Sequence, residues 1–214
     1  MAIAPVSGRA LRSMMLLFAM AATGGLPAQG SSDPANETAG NAARLMNELM
    51  SGRAAVGGPF TLTDTLGQRR GLAEFRGQIV LLYFGYTQCP DTCPADLAQI
   101  TDALTRLGEA GKAVQPIFVT LDPDRDTPAV LREYAAAFHP RLIALRGTAA
   151  ETRAVAESYN VAFRRVAVEG SSGYVVDHST FTFVIDREGR YVAFFPPGTP
   201  AARMEVMLRG LLQQ

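Results

Sequence analysis

The chain carries its only two cysteines in one short stretch, Cys89-Pro90-Asp91-Thr92-Cys93-Pro94, and the flanks of that stretch restrict the fold more than any other feature. Before it runs Ile79-Val80-Leu81-Leu82-Tyr83-Phe84, apolar without interruption, as a strand buried on both faces requires. Gly85 closes the run, where backbone must bend or pass closely. After the cysteines the period changes. Leu97, Ile100, Leu104 and Leu107 recur at three- and four-residue spacing, and Gly108 and Gly111 mark the end, which predicts a helix. Pro94 suits its first position, where a missing N–H costs nothing. Two thiols at a strand-to-helix junction are a reagent: they can bind a soft metal, form a disulfide or attack one.

The pattern continues downstream. Val114–Leu121 predicts a second buried strand, Thr127 and Pro128 open a helix running to about Phe138, Leu142–Leu145 is a third strand, and Thr148 caps a helix to about Tyr159. Upstream, Phe60-Thr61-Leu62-Thr63 alternates like a short strand and Asp64-Thr65-Leu66-Gly67 reads as a turn. The last third differs. Ala162–Val168 is a strand candidate, Gly170-Ser171-Ser172-Gly173 a loop, and Phe181–Asp186 with Arg190–Phe195 a hairpin about Arg187-Glu188-Gly189. A helix from about Pro200 to Leu212 ends the chain, with Met204, Met207, Leu208, Leu211 and Leu212 as its apolar stripe. The class is α/β. Strand–helix–strand followed by a β-hairpin and helix is the thioredoxin-like arrangement, a central mixed sheet flanked by helices.

The N-terminus has a different character. Arg9 and Arg12 precede the apolar run Met14–Ala22, small residues and Pro27 follow, and no acidic residue occurs before Asp33. That is the layout of a secretory signal peptide over residues 1–28; an uncleaved anchor is the alternative, touching the membrane surface through this segment. The run is about half the ~20 residues that span a bilayer. Residues 29–57, rich in Gly, Ser, Asn and Pro at their start, are expected to be a flexible linker. Met46 and Met50 within it are read as a small amphipathic patch rather than a thioether site. Residues 58–214 then form the domain. Export predicts a periplasmic location or the outer face of an inner membrane. With 20 basic and 20 acidic residues and no basic block longer than two, the chain lacks the footprint of a nucleic-acid binder.

Export also places the thiols in an oxidising compartment. A bridge closing so short a loop removes little entropy from the unfolded chain, which argues against a structural staple. On a first helical turn, residues four apart hold their Cβ atoms about 5–6 Å apart, suited to two thiolates on one ion and slightly wide for a disulfide. The helix N-terminus is expected to lower the thiol pKa. A third ligand is wanted. Of the two histidines, His139 stands at a helix end before Pro140 and reads as structural. His178, in Asp177-His178-Ser179-Thr180 before the hairpin strand, is the candidate. Two Cys and one His favour copper(I); copper(II) is a second state, and zinc would want a fourth ligand from Asp177 or water.

Tyr83-Phe84-Gly85-Tyr86-Thr87-Gln88-Cys89-Pro90-Asp91-Thr92-Cys93-Pro94, then Leu121-Asp122-Pro123-Asp124-Arg125-Asp126-Thr127-Pro128, then Val176-Asp177-His178-Ser179, resemble the Sco/SenC family of copper chaperones. The similarity runs from about Gly58 to Leu212. It implies a thioredoxin-like fold and copper bound by Cys89, Cys93 and His178. It also implies a metallochaperone role in assembling the binuclear copper site of cytochrome c oxidase, with that enzyme's copper-bearing subunit as recipient. Another copper carrier or a thiol–disulfide protein is the expected further partner. Asp122 falls in the family's acidic loop, as an influence on the site rather than a ligand. The alternative is a thiol–disulfide oxidoreductase, with Cys89 and Cys93 as redox pair reducing the recipient's cysteines. A thiol peroxidase and a redox sensor are weaker readings.

Overall fold

The computed structural model describes residue 47, residues 56–170 and residues 173–214. The segment read as a leader and the Met46/Met50 patch lie outside these residues. Val56 packs against the core and the Gly57 N–H donates to the Ser158 carbonyl at 2.7 Å.

The strand before the cysteines, β3 (Ile79–Gly85, after the short strands β1, Thr61–Asp64, and β2, Arg69–Gly71), is buried at every residue. Its neighbours explain why. It pairs in parallel with β4 (Val114–Thr120) and antiparallel with β8 (Thr182–Ile185), and lies inside a mixed seven-stranded sheet. The remaining members are β5 (Ile143–Arg146) and β9 (Tyr191–Phe195), giving the order β2-β1-β5-β4-β3-β8-β9. With helices packed against this sheet the fold is thioredoxin-like, as expected. β2 was not foreseen: its polar Arg69-Arg70-Gly71 pairs back on β1 across the predicted turn.

Four α-helices of ten or more residues are described: α1 (Thr92–Leu107), α2 (Pro128–Phe138), α3 (Ala149–Ser158) and α4 (Ala201–Leu212). Thr127 Oγ1 accepts from the Val130 N–H at the head of α2, and Thr148 and Glu151 form a reciprocal capping box on α3. α1 begins two residues before Pro94, which is thus its third residue, still within the first turn whose N–H groups have no intrahelical partner. α1 buries Cys93, Asp96, Leu97, Ile100, Ala103, Leu104 and Leu107; each fully buried large apolar side chain contributes about 1.5–3 kcal/mol. On α4, Met204 and Leu208 are buried as predicted, whereas Met207 is 39% exposed and stands off the core. His139 ends α2 as a structural residue, its Nδ1 accepting the Arg141 N–H at 3.0 Å.

One element departs from a plain thioredoxin-like sheet. β6 (Phe163–Ala167) and β7 (Tyr174–His178) pair only with each other, as a separate two-stranded sheet. His178 is therefore the last residue of a strand, opposite Phe163 at the base of this arm, rather than a member of a loop.

Candidate metal centre

The cysteines occupy different structural settings four residues apart. Cys89 lies in the turn leaving β3, with its N–H donating to the Tyr86 carbonyl at 3.3 Å, and is half-buried. Cys93 lies in the first turn of α1 and is 0% exposed. Both thiols are free, and the Cys93 N–H donates to Cys89 Sγ at 3.4 Å.

The arm carrying His178 closes on this pair. Cys93 Sγ stands 3.6 Å from His178 Nε2, a contact between residues 85 apart in sequence. His178 Nδ1 lies 2.9 Å from the Ser179 carbonyl, which can only accept. Nδ1 therefore carries the proton, and the Nε2 lone pair faces the sulfur. Burial pushes the His178 pKa below its ordinary value, partly offset by the Ser179 carbonyl and the carboxylates of Asp177 and Asp96, so the ring is held neutral. The Tyr86 ring meets the imidazole edge-on, centroids 6.0 Å apart.

The expectation that the helix N-terminus would depress the thiol pKa fails for Cys93. Burial, with a smaller contribution from the neighbouring Cys89, pushes this thiol up to about 12, and hydrogen bonds from the Tyr86 backbone and the Tyr83 side chain only partly compensate. Desolvation of a sulfur wholly removed from water outweighs the end-of-helix field. A thiolate here needs a cation beside it. Two soft sulfurs and a neutral imidazole nitrogen are the donor set that a soft monovalent cation prefers. Among the described residues no three His, Cys, Asp or Glu side chains converge as a finished cage. Cys93 Sγ faces His178 Nε2, and Cys89 Sγ adjoins Cys93 by accepting from its N–H.

Asp122 is 0% exposed and binds the arm rather than the cysteines. It pairs with Arg125 and with Arg165 of β6, and it accepts from the Tyr174 hydroxyl of β7 at 2.7 Å. Arg125 in turn donates to the Tyr174 carbonyl at 2.8 Å and lies 3.7 Å from that ring's centroid. Asp122 thus contacts the strands that carry His178, and not the cysteines.

The SCO1/SenC family profile matches residues 48–213. The chain belongs to the SCO1/SenC family. Among SCO1/SenC relatives, the SCO2-like protein of Rickettsia prowazekii is 41% identical over 141 residues, 65% of this chain and 69% of that protein. The structure of Bradyrhizobium japonicum ScoI with copper bound is 36% identical, with a TM-score of 0.68 over 73% of this chain and 99% of that one. Yeast Sco1 with copper bound is 34% identical, with a TM-score of 0.69 over 75% and 90% of the two chains.

Two acidic residues at this SCO1/SenC site were not singled out from sequence. Asp126 is fully buried and accepts from the Thr87 N–H, the Thr87 hydroxyl and the Thr120 hydroxyl. Asp96, one turn beyond Cys93, accepts from the Tyr83 hydroxyl at 3.1 Å and the Gly198 N–H at 2.7 Å. A signal existed for the second: Asp96 adjoins Leu97 and sits four residues before Ile100, on the apolar stripe of its helix, where an unpartnered charge would be costly.

Proposed function

We propose that this protein carries copper on Cys89, Cys93 and His178 and delivers it to the copper-bearing subunit of cytochrome c oxidase during assembly of the binuclear copper site. One observation carries the reading: the approach of His178 Nε2 to Cys93 Sγ at 3.6 Å, with Cys89 Sγ against the Cys93 N–H. The donor chemistry fits copper(I), which accepts three soft or borderline ligands. Copper is cargo here. The half-buried Cys89 is the ligand within reach of an incoming donor or recipient thiol, and Cys93 and His178 retain the ion while ligands exchange. The copper-bound relatives support the metal, and family membership supports the recipient. The apolar leader supports export to the periplasmic side, and among the described residues no helix is long and apolar enough to cross a membrane.

Anaerobic titration of the reduced protein with Cu(I), followed by X-ray absorption, tests the reading. One copper per chain with two sulfurs and one nitrogen is expected. His178→Ala should lose the nitrogen and bind far more weakly; a variant that binds as tightly as wild type would sink the coordination scheme.

A second reading has its own support. A half-exposed thiol in front of a buried one is the layout of thiol–disulfide exchange. Cys89 would attack a target disulfide, and Cys93 would then displace the target thiolate. Two electrons pass to the target, and an intramolecular disulfide remains. Oxidase assembly rescued by the His178→Ala protein, but not by a Cys89 or Cys93 variant, would favour exchange over copper carriage.

A further inference from the structure

We propose that Asp126 is a positioning residue for the metal centre: acting through Thr87, it fixes the turn that presents Cys89. The inference rests on the copper-carrying role proposed above.

Asp126 lies between β4 and α2, and its own N–H is held by the Asp122 carbonyl at 2.9 Å. Its carboxylate is 0% exposed. Oδ2 accepts from the Thr120 hydroxyl at 2.5 Å and from the Thr87 N–H at 3.1 Å; Oδ1 accepts from the Thr87 hydroxyl at 2.6 Å. The neighbouring Arg125 pairs with Asp122 instead. A carboxylate taken wholly out of water and answered by neutral donors is costly to keep, and two of its three donors belong to one residue, Thr87.

Thr87 is two residues before Cys89, in the turn closed by the Cys89 N–H to the Tyr86 carbonyl. The clamp therefore bears on Cys89 and not on Cys93. Cys93 is fixed independently by the first turn of α1 and by close packing against Gly85 and Tyr83. A turn pinned at Thr87 keeps the Cys89 backbone in place beside Cys93. Partners of metal ligands that act in this way typically change metal affinity by about 10–100-fold when removed.

The test uses the full chain, reduced, with Cu(I) alone as probe. Thr87→Val keeps the shape of the half-buried side chain and removes its hydroxyl bond; Thr87→Ser keeps the hydroxyl; Asp126→Ala removes the clamp. The expected result is a loss of about 10-fold or more in Cu(I) affinity for Thr87→Val, with a larger loss for Asp126→Ala and recovery in Thr87→Ser. X-ray absorption of Thr87→Val should show weakened or missing scattering from one sulfur while the nitrogen stays. A purely structural role would lower the melting temperature and leave affinity and sulfur count unchanged. Should Asp126→Ala fail to fold, Thr87→Val decides alone. Wild type binding copper with two sulfurs and one nitrogen, and Thr87→Val indistinguishable from it, would overturn this proposal only. Wild type without that signature would overturn the copper reading and the proposal with it.

Discussion

Gly85 and Cys93 are packed so closely that a Cβ on Gly85 would stand 2.9 Å from the Cys93 Sγ. The same atom would lie 3.0 Å from Phe118 and 3.1 Å from Tyr83, both inside the core. No flexible chain end can yield. Gly85→Ala is therefore expected to lose about 1–3 kcal/mol of stability, the usual cost of forcing an extra carbon into a packed interior. Because the sulfur is one of the three crowded atoms, the loss should be accompanied by weaker Cu(I) binding. Urea unfolding and a Cu(I) competition titration on the same sample check both; an alanine variant with wild-type values in each would show that the strand has slack the packing denies.

The two thiols should differ sharply in reactivity. Cys93 is wholly buried with its thiol pushed up to about 12, while Cys89 is half-buried. Alkylation requires thiolate and access. Iodoacetamide at neutral pH should label Cys89 in the reduced, metal-free protein well before Cys93, as followed by peptide mass spectrometry. Equal labelling in the folded protein would contradict the assignment of Cys89 as the exchanging ligand.

Much of the candidate centre was legible in the sequence, because residue type and periodicity carry it. The unbroken apolar run announced β3, the change of period announced α1, and Cys89, Cys93 and His178 exhaust the soft donors save methionine and His139. What was not legible depends on contacts between distant residues. The sequence places His178 before the hairpin strand but does not show that β6 and β7 leave the main sheet, or that Asp122, Arg125 and Arg165 all meet Tyr174 there. Asp126 reads as one more acid in a polar turn until Thr87, 39 residues away, is seen to bind it. β2 was missed because its three residues have no apolar alternation, and pairing with β1 alone makes them a strand.

Both histidines should make the fold sensitive to mild acid. Burial, together with the charge of Arg141, holds His139 below the ordinary 6.5, and burial does the same to His178. A base whose pKa is depressed in the folded state takes up protons more readily when unfolded. Its contribution is complete above about 6.5 and is lost as pH falls through the folded-state value. Stability from urea unfolding should therefore decline from pH 7.5 to pH 5.5, before ordinary carboxylates titrate. His139→Asn, which keeps an acceptor for the Arg141 N–H, should flatten the decline. Ring titrations by NMR that fall at or above ordinary histidine would refute the premise.

Asp96 supplies the opposite pH signature. Its carboxyl is pushed above the ordinary 3.8 by burial, against the lowering effect of the Gly198 N–H and the Tyr83 hydroxyl. The charged form is thus penalised in the fold. That penalty is fully present at neutral pH and disappears as pH falls through the raised folded-state value toward 3.8. Asparagine removes the charge and can keep both contacts: its carbonyl oxygen accepts from the Gly198 N–H, and its amide donates to a Tyr83 hydroxyl that has reversed its role. Asp96→Asn is expected to be more stable than wild type at pH 7, with the two converging in acid. Asp96→Ala leaves the buried Tyr83 hydroxyl without its carboxylate acceptor and the Gly198 N–H without a partner, and should lose about 1–3 kcal/mol for each group stranded. Unfolding curves of the three proteins at pH 7 and pH 4 decide. An asparagine variant less stable than wild type at pH 7 would mean that the hydrogen bonds to the carboxylate outweigh its desolvation, and that the acid one turn from Cys93 is kept for stability rather than in spite of it.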